Sequence, residues 1–168
     1  PRTWAAASSA RSRSITAKAA TAAVGKWGQL PLGPGDFGFD EWLKFQGSGI
    51  YWNTQDKGKN YLVNGKKTPL RDKEYMPDVM HKFAVDFITR NHDKPFYLYY
   101  SLSHVHSEIL PTPDSAPDSK DIYADNVTYM DKLVGKLVAE LDRAVDVVMQ
   151  ALKPGGLFIS KTACLNEM

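Results

Sequence analysis

The stretch YMPDVMHKFAVDFITRNHDKPFYLYYSL, residues 75–102, decides the fold class. Apolar residues recur at the i, i+3, i+4 and i+7 positions from Met76 to Ile88, which predicts an amphipathic helix with Pro77 in its first turn. Residues 96–102 then form a continuous aromatic and apolar run. We expect that run to be a strand buried on both faces, as in a parallel sheet covered by helices.

The same alternation of strand and helix extends to both sides of this stretch. Upstream, an apolar run ends on Lys26, and a loop rich in proline and glycine follows it. Downstream, a broad apolar face predicts a second long helix over about residues 122–152, and a short apolar strand follows at 157–160. Such alternation is typical of an α/β layered fold with a mostly parallel sheet and helices on its faces. Ligands bind these sheets at the carboxyl ends of the strands.

Two other regions carry local structural signals. Residues 36–67 are rich in aromatic residues with scattered glycines, and we interpret them as loops and short strands rather than as a separate domain. Within them Asn64-Gly65, flanked by NYLV and KKTPL, predicts a β-hairpin. Residues 15–23, ITAKAATAA, have a high helix propensity, and we expect a short helix there that leads into the first strand.

Composition excludes several classes of protein. A length of 168 residues fits one ordinary domain. The net charge is only +2, and no basic cluster is interleaved with aromatic residues, so we expect no nucleic-acid partner. The single cysteine, Cys164, excludes an internal disulfide and a cysteine-based zinc site. No apolar run approaches the length of a membrane span, so we expect no membrane partner.

Four polar residues are the candidates for chemistry. Lys26 ends an apolar strand, where its ammonium either reaches out to water or binds an anion such as sulfate or phosphate. His104 and His106 are two residues apart, so on an extended chain they share one face and could bind a metal, bind an anion or relay a proton. A third metal ligand does not stand nearby, which disfavours zinc. Ser48 has no Gly-x-Ser-x-Gly context and is typical of a turn serine.

Several stretches together resemble the sulfatase family, within the alkaline-phosphatase-like superfamily. They are TAAVGKW, FGFDEW, the run YMPDVMHKFAVDFITRNHDKPFYLYYSLSHVHSEILPTPDS, and YADNVTYMDKLVGKLVAELDR. The resemblance covers about residues 15–143 and implies a partial, incomplete alkaline-phosphatase-like sandwich. It implies a sulfuric ester hydrolase that acts on sulfate-ester small molecules or sulfated glycans. In the family, a formylglycine attacks the sulfur and a calcium ion polarises the sulfate oxygens.

The resemblance also implies roles for individual residues. Lys26 would contact the sulfate and its leaving oxygen, and His106 would donate a proton to the ester oxygen, so these two are the predicted catalytic residues. Ser48 matches a sulfate-site serine, and we predict Ser48 and His104 as substrate-binding residues. Family members are often secreted, periplasmic or lysosomal, but no signal peptide is visible here, so we make no prediction of location.

The chain departs from the family pattern in its catalytic motifs. Formylglycine arises from a Cys-x-Pro-x-Arg or Ser-x-Pro-x-Arg motif, and neither occurs in the 168 residues. The upstream Asp-Asp pair and the downstream Asp-Asn that hold calcium are also missing, and Gly28 stands where the family usually has histidine. We therefore expect neither formylglycine nor calcium, and in general no cofactor or metal, in this chain, and we expect it to be inactive alone.

The two ends of the chain raise separate expectations. We expect residues 1–14 to be poorly ordered. Residues 144–168 include ALKPGGLFISKT, which resembles the late helix, turn and strand of a class I methyltransferase that uses S-adenosylmethionine. This suggests a chimeric reading frame joined near Arg143. Two alternatives to a sulfatase fragment thus stay open: a methyltransferase relic, and a non-catalytic module that binds sulfate or phosphate through Lys26 and the two histidines.

Overall fold

The computed structural model describes residues 19–28, 31–45, 47, 49–55, 60–106 and 108–151, and it describes side chains as far as residue 143. The expectations of a poorly ordered start over residues 1–14 and of a strand at 157–160 lie outside these residues. Most of the methyltransferase-like segment also lies outside them, apart from the backbone of the helix up to residue 151. All three stay predictions.

The centre of the fold is a five-stranded mixed sheet with the strand order β4-β3-β2-β1-β5. Strand β1 lies between β2 and β5 and pairs in parallel with both, whereas β3 pairs antiparallel with β2 and with β4. The antiparallel pairings at one edge mean that the sheet is mixed rather than mostly parallel, and the α/β class is confirmed. The strands are β1 Ala20–Lys26, β2 Glu41–Phe45, β3 Asn60–Val63, β4 Lys66–Pro69 and β5 Phe96–Ser101.

Two helices form a second and a third layer. Helix α1, Met76–Asn91, begins with a proline in its first turn as predicted and packs on β1 and β5. Helix α2, Ile122–Ala151, packs against α1 rather than on the sheet. Between α1 and the sheet lies the core, whose buried residues are Val24, Leu43, Phe45, Ile50, Leu70, Met76 and Met80.

The predicted hairpin is confirmed, with its turn at the expected residues. Asn64 and Gly65 both have a positive φ, of 48° and 86°, which is the backbone that a two-residue type I′ turn requires. Strand β2 was not predicted as a separate element, because its sequence EWLKF is short and lies in a glycine-rich context.

The helix expected over residues 15–23 is wrong in its described part, since β1 begins at Ala20. The alanines that suggested a helix lie in the middle of β1, where Ala22 and Ala23 are 0% and 2% exposed. Small side chains fit between two neighbouring strands and α1, so tertiary packing overrides the helix propensity of alanine here.

The expectation that β5 is buried on both faces is also wrong. Leu98 and Tyr100 pack against the core beneath α1, but Tyr97 on the other face is 53% exposed. That second face carries an aromatic group in which Tyr97 contacts Phe39 and Tyr99 contacts Trp27, with ring centroids 6.1 Å apart in both pairs. Tyrosines on the exposed face of β5 therefore continued the apolar pattern of the sequence although that face is not fully buried.

Gly25 in β1 makes the close pairing of β1 with β5 possible. Its φ is +105°, and a Cβ atom built on it would lie 2.0 Å from the carbonyl oxygen of Ser101 and 2.7 Å from Cε of Met80. Only glycine adopts this backbone without strain, and only glycine leaves room for the neighbouring strand.

Replacing Gly25 with alanine therefore destabilises the fold strongly. We expect Gly25→Ala to lower the free energy of unfolding by about 2–4 kcal/mol, because the new methyl group adds a steric clash to the strain of the left-handed backbone. Gly65→Ala is the matched control, since Gly65 also has a positive φ but has open space around it. Urea unfolding of both variants measures the difference. An equal loss in the two would contradict the argument that the β1–β5 contact is tight.

Candidate functional site

The three parallel strands end at one edge of the sheet. Lys26, the last residue of β1, is in register with Phe45, the last residue of β2. One position earlier, Gly25 is in register with Ser101, the last residue of β5. The loops that follow Lys26, Phe45 and Ser101 therefore leave from the same edge, which is where parallel sheets bind ligands.

Lys26 lies at this edge as the last residue of β1. It is half-buried and lines a cleft together with Lys44, Trp27 and Tyr99. The cleft is too narrow to hold a water molecule, so an anion would meet the ammonium group of Lys26 at the rim rather than inside the cleft.

The two predicted histidines do not share a face, because the chain turns between them. Val105 has a φ of +59°, and His104 and Val105 form a turn instead of the extended segment that the spacing suggested. His104 is consequently 5% exposed, with its ring centroid 6.1 Å from that of Tyr75 and 6.2 Å from that of Tyr129. His106 is only half-buried. The expectation of a common face is wrong.

The loop after β5 is held by hydrogen bonds from two other parts of the chain, the loop after β2 and helix α2. The Tyr51 hydroxyl contacts the backbone of this loop at both Ser103 and His106. The Trp52 indole N–H donates to the carbonyl of Pro111 at 2.8 Å, and the side-chain amide of Asn126 donates to the carbonyl of Leu110 at 2.9 Å. These bonds hold the histidine-bearing segment against the loop after β2 and against α2.

Sequence reasoning missed Tyr51, Trp52 and Asn126. Asn126-Val127-Thr128 has the form of a glycosylation acceptor, but Asn126 is 0% exposed and its amide is bonded to the carbonyls of Leu110 and Ile122. An aromatic pair that follows a glycine-rich turn, at residues 51–52, was the available signal for the other two. Nothing in the local sequence indicates that their polar atoms reach a loop more than 50 residues away.

Burial keeps the tyrosines of this region protonated. Desolvation raises the pKa of Tyr51, although the hydrogen bond with the His106 backbone acts in the opposite direction. Desolvation also raises the pKa of Tyr75 and of Tyr129 above the ordinary value, and the hydrogen bond of Tyr129 to Asp78 adds to this effect. Their hydroxyl groups are therefore neutral hydrogen-bond donors near neutral pH.

The calcium ion that the family resemblance implies does not fit the residues that the structure describes. Calcium takes six to eight oxygen ligands, several of them carboxylates. Across the described ranges, no group of three or more His, Cys, Asp or Glu side chains could hold a metal ion. The Ser48 candidate lies outside the described residues. In the same ranges, no helix combines the length and apolar character needed to cross a membrane.

His104 gives the fold a specific sensitivity to acid. Its burial lowers the pKa from the ordinary 6.5 to about 4, so below about pH 6.5 the unfolded chain binds a proton that the folded chain does not accept. Stability is then lost as the pH falls from about 6.5 to about 4, by up to about 3 kcal/mol.

Urea unfolding of His104→Phe and of the unchanged protein at pH 7, 6, 5 and 4 tests this. We expect the variant to lose less stability between pH 6.5 and 4, because phenylalanine takes up no proton. His81, whose pKa is also lowered by burial, is common to both proteins and cancels in the comparison. Parallel curves for the two proteins would show that His104 is not the source of the acid sensitivity.

Sulfatases are among the proteins whose sequences resemble this chain. Arylsulfatase H of Canis lupus familiaris is 32% identical over 106 residues, which cover 62% of this chain and 18% of that protein. Steryl-sulfatase of Rattus norvegicus is 43% identical over 61 residues, which cover 36% of this chain and 11% of that protein. The chain thus spans less than a fifth of the length of these curated relatives.

Solved structures share the fold and confirm the partial alkaline-phosphatase-like architecture. The crystal structure of Ps i-CgsB superposes with a TM-score of 0.63 at 27% identity, over 76% of this chain and 34% of that one. The structure of Ps i-CgsB in complex with k-i-k-neocarrahexaose gives a TM-score of 0.61 at the same identity, over 75% of this chain and 34% of that one. The model of the Sulfatase family matches residues 14–147, about four fifths of the sequence, so the chain belongs to the sulfatase family.

Proposed function

We propose that this chain is the part of a sulfatase that supplies two contacts, from Lys26 and His106, to the sulfate group of an ester. The observation that carries the proposal is the register of β1 with β5. Because Gly25 pairs with Ser101, Lys26 and the loop that bears His106 leave adjacent parallel strands at the same edge.

The chemistry of the two side chains suits a sulfate ester. The ammonium of Lys26 is a compact positive charge that attracts the sulfate oxygens and stabilises negative charge on the leaving oxygen. The imidazole of His106 is a side chain of the kind that acts as a general acid, here toward the departing ester oxygen. Together they provide charge stabilisation and a proton, the two things that an alcohol leaving from sulfate requires.

The structure describes only one of the two predicted substrate-binding residues, His104. Ser48 stays a prediction from the resemblance. His104 also stays a prediction as a substrate-binding residue, but its ring is 5% exposed among Tyr75 and Tyr129. The contacts with these two rings support a packing role for His104 in the proposed site, within the turn that presents His106.

The proposed substrate class is a sulfate ester on a small molecule or on a glycan. Similarity to arylsulfatase H and steryl-sulfatase supports the first, and similarity to Ps i-CgsB, solved with k-i-k-neocarrahexaose, supports the second. The methyltransferase alternative, suggested by ALKPGGLFISKT in residues 144–168, gains no support in the part of the chain that the structure describes.

We further propose that the 168-residue chain does not turn over a sulfate ester by itself. Formylglycine supplies the nucleophile in this family, and the motif from which it is made is not among these residues. Without a covalent nucleophile the family's mechanism has no first step. We expect no release of phenol from an aryl sulfate above the rate of the buffer, and sustained turnover by the purified chain would contradict this.

Anion binding is the property that the chain should retain. We expect calorimetry to detect binding of inorganic sulfate at low ionic strength, and we expect Lys26→Met and His106→Gln each to raise the dissociation constant by about tenfold. Tenfold corresponds to about 1.4 kcal/mol, within the range for a charge contact near a protein surface.

Lys67→Met is the matched control, because Lys67 is an exposed lysine in the hairpin strand β4, which is separated from β1 by β3 and β2. It removes the same charge, and we expect the dissociation constant to stay within about twofold. If the control weakens binding as much as Lys26→Met does, the chain attracts sulfate by net charge and the proposed site is wrong.

A further inference from the structure

A side-chain hydroxyl bridges the two ends of the turn that carries the histidines. The Tyr51 hydroxyl lies 3.3 Å from the carbonyl oxygen of Ser103 and accepts the backbone N–H of His106 at 3.2 Å. Ser103 and His106 are the first and fourth residues of this turn. The hydroxyl, which lies 3.3 Å from the His106 carbonyl as well, therefore contacts the turn where it opens and where it closes.

The turn between these ends adopts a backbone that its sequence disfavours. Val105, the third residue, has a φ of +59°. At this position a positive φ favours glycine or asparagine, and a β-branched residue adopts it only when surrounding contacts impose it. The turn therefore needs an external contact to keep its shape.

Tyr51 is held firmly enough to provide that contact. The residue is 0% exposed, and its ring stacks on that of Tyr75 with centroids 6.1 Å apart. Its backbone N–H donates to the side-chain oxygen of Gln55 at 2.6 Å, and its carbonyl accepts the N–H of Met76, the first residue of α1, at 2.8 Å. The hydroxyl is thus fixed to both the loop after β2 and the start of α1.

We propose that Tyr51 is a positioning residue: its hydroxyl clamps the strained turn from Ser103 to His106 and thereby holds His106 in place for anion binding. Tyr51 does not touch the ligand itself. This inference rests on the proposed function for its consequence on binding, but the clamp can be measured without any ligand.

The first experiment removes only the hydroxyl. In Tyr51→Phe, the His106 amide loses its acceptor, so we expect its hydrogen exchange to become at least about fivefold faster relative to amides of β1. We also expect sulfate binding to weaken by about fivefold to tenfold, because His106 is no longer held. Tyr75→Phe is the matched control: its hydroxyl belongs to the same buried cluster but donates to Asn126, not to the turn.

The second experiment relieves the strain at Val105. Asparagine tolerates a positive φ, so in the Val105→Asn background the turn should keep its shape without the clamp. We expect Tyr51→Phe in that background to weaken sulfate binding by less than about twofold. If the hydroxyl served only to pack the core, its removal would have the same effect in both backgrounds.

The outcomes separate the clamp from the anion site. Unchanged exchange at the His106 amide in Tyr51→Phe, or an equal loss in Tyr75→Phe, would overturn the clamp whether or not sulfate binds. Faster exchange that is confined to the turn, in a protein that binds no sulfate even when unchanged, would support the clamp and overturn the proposed function. Faster exchange together with rescue of binding in the Val105→Asn background supports both.

Discussion

The contact between Gly25 and Ser101 is the constraint on which the site depends. A methyl group at position 25 would lie 2.0 Å from the Ser101 carbonyl oxygen, so β1 and β5 can pair in this register only with glycine there. The register of β1 with β5 then determines which residues follow each other across the two strand ends. Lys26 is one residue beyond the contact, at the end of β1, and His106 is five residues beyond it, in the loop after β5. The site that we propose from these two residues therefore requires this register.

Strand pairing alone would leave His106 in a loop without further support. A cluster of buried aromatic residues supplies that support. Tyr51, Tyr75 and Tyr129 are almost fully buried, and the buried ring of His104 packs beside those of Tyr75 and Tyr129. Burial of so many polar rings is favourable only where their hydroxyl groups find partners. The hydroxyl of Tyr51 finds its partners in the turn itself. The packing of the cluster therefore also positions the backbone of His106.

The sequence predicted the elements with strong periodicity and missed those features that depend on contacts between distant residues. Helix α1 and the hairpin at Asn64-Gly65 follow from local rules, and both are confirmed. The expectation that β5 is buried on both faces was wrong. A strand rich in aromatic residues has the same apolar pattern whether one face of the sheet is covered or both are. The common face of His104 and His106 was wrong because spacing assumes an extended chain, and Val105 adopts a positive φ that local preference argues against.

In the candidate site, too, the sequence predicted the residues that local patterns mark and missed one that depends on a long-range contact. The end of an apolar run marked Lys26, and the family resemblance singled out His106, but Tyr51 became visible only in three dimensions, since its hydroxyl reaches a turn more than 50 residues along the chain. A crystal of the chain soaked with selenate tests the convergence of Lys26 and His106 most directly, through anomalous scattering. We expect a selenium peak within hydrogen-bonding distance of both Nζ of Lys26 and the ring of His106. A peak at neither side chain, or the two side chains on opposite sides of the β1–β5 edge, would contradict that convergence.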